Sequence, residues 1–321
     1  MKRYLLLLLI LGSVVSCKKE TKVQREIAEI PVSKVKAERF EKLFYEGGKE
    51  NLQSIKLQYP YFFPPGNTDD VWLEKMNDPL LQELYGEVKK KYPTTETVED
   101  DLQTLFKHIK YYFPDFSAPK VVTLISEMDY ENRVIYADTL LLISLDLYLG
   151  KEHKFYEGFP AYQAQNFEEK QIMSDVVTAF SDDRIVYPRD RALLSLMIYF
   201  GKELYTKDLL IPDATDAVKM GYTEEQINWA NANESEIWRY FIENSLLYDT
   251  DPKLPGRFIN PAPFSKFYLE LDNESPGRLG VWLGWQIVRS YMENNKNVTL
   301  QELLATDAKT IFDNSKYKPK K

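Results

Sequence analysis

Apolar residues recur at spacings of three and four along most of the chain, which is the periodicity of amphipathic helices. In the first third this spacing joins Phe40 to Leu43 and Phe44, and it returns over residues 80–88 and 102–109. In the second half it predicts six more helices, at about 169–182, 190–205, 223–231, 233–248, 276–294 and 299–314. Most of the chain is therefore predicted to be helical.

The pattern changes after Pro114 and Pro119. A run of β-branched residues from Lys120 to Ser126 predicts a strand, and residues 133–137 and 140–145 predict further strand after a turn. We expect a small antiparallel sheet here. No internal repeat or long linker divides the chain, so the sequence predicts a single α+β domain that is mostly α-helical.

Polar residues mark several of the predicted helix starts. Thr223 is followed three residues later by Gln226, and Thr299 stands in the same relation to Glu302, which is the pattern of a capping box. Asp190 is predicted to be the N-cap of the helix at 190–205.

The N-terminus has the order of a secretory signal: the basic pair Lys2-Arg3, an apolar run and then small residues up to Cys17. The run is shorter than the roughly 20 apolar residues that a membrane-spanning helix needs. Residues 14–17 resemble the bacterial lipobox, which predicts a signal peptide over residues 1–16 and fatty acylation of Cys17. The alternative is an ordinary cleavable signal beside an incidental cysteine, but Cys17 is the only cysteine in the chain.

Residues 17–36 are charged and contain few large apolar side chains, so we predict a lipidated tether there and a globular domain over residues 37–321, with packing beginning near Phe40. A single cysteine excludes an internal disulfide bond. Without the signal peptide the chain has 39 basic residues, the full 41 less Lys2 and Arg3, against 49 acidic ones. This acidic balance argues against a nucleic acid partner, because phosphate binding needs basic surface.

The sequence offers no recognisable catalytic motif. Its two histidines, His108 and His153, are far apart, which excludes the His-Glu-x-x-His signature of many zinc enzymes. No Gly-x-Ser-x-Gly segment or glycine-rich phosphate loop is present. Acid pairs such as Asp182-Asp183 are interpreted as solvated faces or helix caps. We therefore predict no catalytic residue, no metal ligand and no cofactor.

Aromatic residues are abundant, at 14% of the chain. The five tryptophans could form a surface for stacking sugars or docking a protein, because aromatic rings supply large contact areas. Trp282 and Trp285 lie three apart on one predicted helix, a spacing that suits core packing equally well. We predict that most of the tryptophans face the core. The five are Trp72, Trp229, Trp238, Trp282 and Trp285.

A wider resemblance is carried by residues 38–45, 59–63, 105–114, 143–150, 197–202, 236–238, 263–267 and 275–285. Together these segments resemble the GldB family of gliding-motility lipoproteins of Bacteroidota, over about Glu38 to Tyr317. The resemblance implies a role in gliding over surfaces, with partners in the envelope machinery tied to type IX secretion. The family has no established catalytic activity, so the resemblance implies no site residues.

The order of elements around residues 169–205, with residues 276–280 opening a long helix, is also similar to gluzincin-like zinc peptidases. In those proteins the first helix carries His-Glu-x-x-His and the second carries a glutamate as the third ligand. Here residues 171–180 contain no histidine, and Phe200 stands at the glutamate position. This resemblance implies a zincin-like arrangement that lacks the metal ligands, with Phe200 packed against Met197 and Ile198 in the core.

The hypothesis from the sequence is a lipid-anchored envelope protein that is not an enzyme and serves gliding and secretion as a scaffold or interaction domain. One alternative is an envelope hydrolase with an unusual carboxylate site, and another is a glycan-binding module that uses the tryptophans. Lys18-Lys19-Glu20 partly resembles the surface-export signal of Bacteroidota lipoproteins, but it has one acid where two are expected. We therefore expect the domain to face the periplasm.

Overall fold

The structure, a computed structural model, describes residues 22–270 and 272–320. Its strands are β1 (Ala37–Arg39), β2 (Lys120–Leu124), β3 (Val134–Ala137) and β4 (Leu140–Ser144). Its α-helices are α1 (Lys22–Ala28), α2 (Phe40–Gln58), α3 (Asp69–Asn77), α4 (Pro79–Lys91), α5 (Glu96–Tyr112), α6 (Ala161–Ala164), α7 (Ile172–Ser181), α8 (Leu193–Leu210), α9 (Asp216–Met220), α10 (Glu224–Ala232), α11 (Glu234–Glu243), α12 (Leu254–Phe258), α13 (Leu279–Asn294), α14 (Leu300–Ala305) and α15 (Ala308–Ser315).

The predicted α+β class is confirmed, because the helices surround one four-stranded sheet with the order β1-β2-β4-β3. The expectation that this sheet is antiparallel is wrong for two of its three pairings. Only β3 and β4 are antiparallel, while β2 runs parallel to both β1 and β4. The reason is that β3 and β4 form a hairpin in which β4, and not β3, pairs with β2, so β4 lies between β2 and β3. Strand β1 was not predicted, since its three residues show no apolar alternation.

The predicted helix starts are confirmed at both threonines. The Thr223 and Thr299 side chains each accept the N3 backbone N–H. In return, the side chains of Gln226 and Glu302 accept the backbone N–H of Thr223 and Thr299, respectively. The prediction for Asp190 is wrong. Its carboxylate accepts the N–H of Ala192 in the preceding turn, and α8 begins at Leu193. The region predicted as one helix at 299–314 is two helices, because the Asp307 side chain caps α15.

Helices α8 and α13 cross at the centre of the larger hydrophobic core. The crossing is close because two glycines meet there: a Cβ on Gly284 would lie 1.9 Å from the carbonyl oxygen of Met197, and one on Gly201 would lie 2.6 Å from the backbone of Gly284. Trp282 and Trp285 of α13 are fully buried in the same core. A side chain at either glycine would force the two helices apart.

A second core lies between the sheet, α5 and α7, and the N-terminal segment packs against it. Ile27 of α1 and Val35 are both buried, so packing starts before Phe40, where it was expected to begin. The side chain of Gln103 on α5 accepts the N–H of Val35 at 2.8 Å and donates to the carbonyl of Val32 at 3.1 Å. The boundary between a tether and the domain remains a prediction.

None of the helices within residues 22–270 and 272–320 has both the length and the apolar character needed to cross a membrane.

Candidate functional site

A cavity of about 70 Å³ lies where five segments of the chain meet, at residues 130–133, 162–166, 220–226, 261–262 and 277–278. Its cationic lining residues are Arg133, just before β3, and Arg278, just before α13. The rim includes Tyr162 and Asn166, which are half-buried. We call this cavity, between Arg133 and Arg278, the two-arginine pocket.

Arg133 enters the pocket from the sheet side and is fixed by two contacts. Its Nη2 lies 3.1 Å from a carboxylate oxygen of Asp175 on α7, and its guanidinium lies 5.2 Å from the ring centroid of Tyr130. The other oxygen of Asp175 accepts the hydroxyl of the buried Tyr148 at 2.8 Å. A second nitrogen of the guanidinium group, Nη1, is buried and has no hydrogen-bond partner among the described residues.

Arg278 enters from the opposite side in an uncommon backbone conformation. Its φ of 60° is left-handed, a region in which a residue other than glycine carries roughly 1–2 kcal/mol of strain. The flanking backbone holds it there: a Cβ on Gly277 would lie 2.1 Å from the carbonyl oxygen of Ala262, and the N–H of Leu279 donates to Ser265 Oγ at 3.1 Å. The Nε of Arg278 is buried without a hydrogen-bond partner.

Behind the pocket, α7 and α8 face each other through polar side chains. Glu203 on α8 accepts the hydroxyl of Thr178 at 2.8 Å and lies 3.3 Å from Lys207 Nζ, which also donates to the carbonyl of Lys219 at 3.1 Å. Burial lowers the pKa of the Lys207 ammonium, and Glu203 opposes that effect. Arg278 is close enough to Lys207 to lower its pKa further.

The charges of the side chains that line the pocket do not balance. Arg133 is paired with Asp175 and Lys207 with Glu203, whereas Arg278 makes no ion pair with any residue that the structure describes. The pocket lining therefore holds two guanidinium groups and no carboxylate, and Asp175 behind it pairs with only one of them. Arg278 is half-buried, and its Nε is buried beside the cavity without a partner, so this lining favours an anionic group there.

The rim of the pocket is held by amide hydrogen bonds. Gln165 donates to the carbonyl of Gly221 at 2.9 Å and to the side-chain oxygen of Gln226 at 3.2 Å. Gly221 ends α9 with a φ of 73°, a left-handed conformation that suits glycine. Gln226 belongs to the capping box of α10, so the rim is tied to two helix ends.

The two histidines, which were not predicted to bind a metal, make contacts in separate parts of the structure. The Nδ1 of His108 lies 3.0 Å from the carbonyl oxygen of Leu209, and burial lowers the pKa of His108. The Nε2 of His153 lies 3.3 Å from Glu87. Across residues 22–270 and 272–320, no three His, Cys, Asp or Glu side chains are grouped so that they could hold a metal ion. Cys17, the predicted lipidation site, lies outside the described residues.

The zincin-like comparison implied that Phe200 lies in a buried pocket, packed against Met197 and Ile198. The residue of α8 that bonds to α7 is Glu203, one helical turn further along. Phe200 is half-buried at the edge of the core, with its ring 5.0 Å from that of Tyr199. The expectation that Phe200 fills a buried pocket is therefore wrong.

Two other features concern the alternative functions, a hydrolase with a carboxylate site and a glycan-binding module. Burial, together with the charges of Glu203 and Asp183, raises the pKa of Asp182 to about 6. The prediction that tryptophans face the core is confirmed for Trp282 and Trp285. The remaining three, Trp72, Trp229 and Trp238, are half-buried.

The sequence contained a signal for one of the two arginines. Gly277 and Gly280 flank Arg278 closely, and paired glycines often mark a tight approach of backbone. Arg133 lies among ordinary turn residues, and its partner Asp175 is 42 residues away, so nothing local marked it.

A family model described as gliding motility protein GldB matches residues 20–319. No curated protein and no solved structure matches the chain.

Proposed function

Because this chain belongs to the family of the gliding motility protein GldB, we propose that it acts in gliding motility as a lipid-anchored protein of the cell envelope. In this proposal the folded part is a non-catalytic interaction domain of the gliding and type IX secretion machinery. The observation that supports a non-catalytic role is the pairing of the acids behind the two-arginine pocket. Asp175 and Glu203 are each held by a basic side chain and a hydroxyl, which leaves them poorly placed to exchange protons with a substrate.

The anchor is proposed to be lipid on Cys17, on the basis of the lipobox-like residues 14–17. We expect Cys17→Ala to abolish incorporation of labelled fatty acid, to release the protein from membranes and to abolish gliding. Cys17→Ser gives a second variant without a thiol, and the unmodified gene expressed at the same level is the control. A Cys17→Ala protein that still incorporates the label would contradict the anchor.

The periplasmic orientation is proposed from the single acid in Lys18-Lys19-Glu20. Protease added to intact cells should leave the protein uncut, and the same protease should cut it after the outer membrane is permeabilised. Digestion in intact cells would instead place the domain on the cell surface.

The scaffold role is tested by crosslinking in the envelope, followed by purification of the full-length chain. Known components of the gliding and secretion machinery should copurify with it, and they should be lost with the Cys17→Ala variant. The same preparation should show no stoichiometric zinc and no chelator-sensitive peptide cleavage. One zinc per chain together with such cleavage would defeat the scaffold proposal.

A second candidate, an envelope hydrolase with a carboxylate site, is favoured by one observation. Asp182, with its pKa raised to about 6 beside Glu203, has the proton affinity expected of a general acid. Peptidoglycan and protein substrates should be tested with the wild type, with Asp182→Asn, and with Asp183→Asn as the neighbouring control. Activity that is lost only in Asp182→Asn would favour the hydrolase.

A further inference from the structure

We propose that the two-arginine pocket binds a carboxylate group, which lies between the guanidinium groups of Arg133 and Arg278. Nothing in the family match assigns a ligand to this cavity.

The first argument comes from hydrogen bonding. Five buried side-chain nitrogen or oxygen atoms in the described part of the chain lack a partner, and two of them are guanidinium nitrogens of residues that line this one cavity. Buried polar groups nearly always have partners, so two such donors at one cavity indicate an acceptor that binds there. Guanidinium groups are matched best by carboxylate and phosphate oxygens.

The second argument comes from charge and distinguishes a carboxylate from a phosphate. Arg133 already shares its charge with Asp175, and Lys207 shares its charge with Glu203. Of the two guanidinium groups in the pocket lining, that of Arg278 has no carboxylate partner among the described residues. One surplus positive charge balances a monoanion such as a carboxylate, whereas a phosphate dianion would leave a buried negative charge without a partner.

The third argument comes from size. The cavity of about 70 Å³ is several times the roughly 10–15 Å³ that a cavity needs to hold one water molecule. That volume suits the carboxylate group itself. The rest of a larger acid would extend past Tyr162 and Asn166 at the rim. The ligand is therefore a small free acid or the carboxylate end of a longer molecule, such as the C-terminus of a protein.

The fourth argument is that the site is formed before the ligand arrives. Gly277 leaves Arg278 little freedom, because its Cα packs against the backbone of Ala262, and Ser265 holds the next N–H. Asp175 and Tyr130 orient Arg133 from the other side. A preformed site loses less conformational entropy when it binds.

The main test measures binding of acetate to the full-length chain, purified in detergent, by calorimetry against chloride at equal ionic strength. We expect saturable binding that Arg278→Gly weakens by about tenfold or more, since a hydrogen bond to a charged group is lost. Glycine adopts the left-handed conformation without strain, so this variant should fold at least as stably as the wild type.

Lys316→Gly is the matched control. Lys316 also has a left-handed φ, 52°, and is exposed at the end of α15, so the substitution removes the same charge and places glycine in the same backbone region. We expect it to leave acetate binding unchanged. Equal weakening by Lys316→Gly and Arg278→Gly would overturn the proposal, because it would show a nonspecific effect of charge.

Arg133→Lys provides an independent variant. It keeps the positive charge beside Asp175 but removes the planar pair of donors, so we expect a folded protein with weakened acetate binding. Unchanged affinity in both arginine variants would overturn the site, as would the absence of saturable acetate binding in the wild type.

The source of the carboxylate is tested with short peptides that have either a free or an amidated C-terminus. Tighter binding of the free form than of acetate would identify a chain terminus as the ligand, and binding of acetate without binding of either peptide would identify a small free acid. Equal binding of the free and amidated forms would overturn the proposal, because the amidated form has no terminal carboxylate. Tighter binding of inorganic phosphate than of acetate would overturn the assignment to a carboxylate.

Discussion

Asp146 is buried in the short turn at Leu145–Leu147 that follows β4, and it fixes the strained loop at residues 126–128. One carboxylate oxygen accepts the N–H of Ser126 at 3.1 Å and the other accepts the N–H of Met128 at 2.8 Å. Glu127 and Met128 both have left-handed φ values, 60° and 69°. Successive N–H groups in such a turn form a concave site for an anion, and Asp146 supplies that anion from within the chain.

This arrangement predicts a specific dependence of stability on pH. Burial raises the pKa of Asp146 to about 6 from 3.8, although its backbone hydrogen bonds partly oppose the rise. The folded state therefore binds a proton more tightly than the unfolded state. The resulting stabilisation, roughly 3 kcal/mol, is complete below pH 3.8 and is lost as the pH rises through 6.

Asp146→Asn should remove that dependence and lower stability. An asparagine offers one oxygen and places its NH2 group against a backbone N–H, so we expect a loss of about 1–3 kcal/mol at pH 7. Urea unfolding of both proteins between pH 4 and 7 checks this. If the difference between the two curves stays constant over that range, the raised pKa is wrong.

At the scale of single residues, the sequence predicted those contacts that depend on near neighbours in the chain. The caps at Thr223 and Thr299 were predicted because the partner of each lies three residues away. The pairing of Arg133 with Asp175 was not predicted, since it depends on how the sheet meets α7. The arginine pocket is a product of that packing, and no short motif encodes it.

The crossing of α8 and α13 is the central contact between elements, and it depends on two glycines. We expect Gly284→Ala to lower the free energy of unfolding by about 3 kcal/mol or more, at the upper end of the effects of overpacking, because the new Cβ would lie 1.9 Å from Met197 O. Chemical denaturation of the purified protein measures the loss.

Gly86→Ala is the control for that substitution. Gly86 is exposed within α4 and has no atom within 4 Å of the position of a Cβ, so alanine there should stabilise the helix by up to about 1 kcal/mol. Similar effects of the two substitutions would mean that the α8–α13 crossing is looser than the structure indicates.

Helices were predictable as elements, whereas the order of the strands was not. Periodicity is a local property, and it located most of the helices to within a few residues. Strand order depends on contacts between distant residues: β1 joins the sheet through residues 37–39, which pair with residues 121–123. Nothing in the composition of β1 distinguishes it from a loop.

At the scale of the whole molecule, the N-terminal segment, residues 22–36, packs against the rest of the fold. Ile27 is its buried apolar anchor in α1, and Lys107 donates to the carbonyl of Ala28 at 2.9 Å. A helix of seven residues is marginal without such contacts. Opening of this segment should therefore occur without unfolding of the rest.

Ile27→Ala should weaken the docking of this segment by about 2–4 kcal/mol and leave the main thermal transition nearly unchanged. Limited trypsin digestion should then cut faster at Arg25 and Lys34, which are exposed. Val23→Ala, at a position that is 39% exposed on the same helix, should not change the rate of cutting. A large drop in the main transition would show that α1 and the domain unfold together.

The burial of Ile27 also limits the distance between the domain and the membrane. If Cys17 carries the lipid, ten residues separate it from Ile27, and a fully extended chain of that length reaches about 35 Å. A free segment as far as Lys36 would have reached about 70 Å. With a lipid on Cys17, the docked segment would therefore confine the domain to a thin layer above one bilayer. Within that layer its effective concentration toward membrane-bound partners is high, and partners further away are out of range.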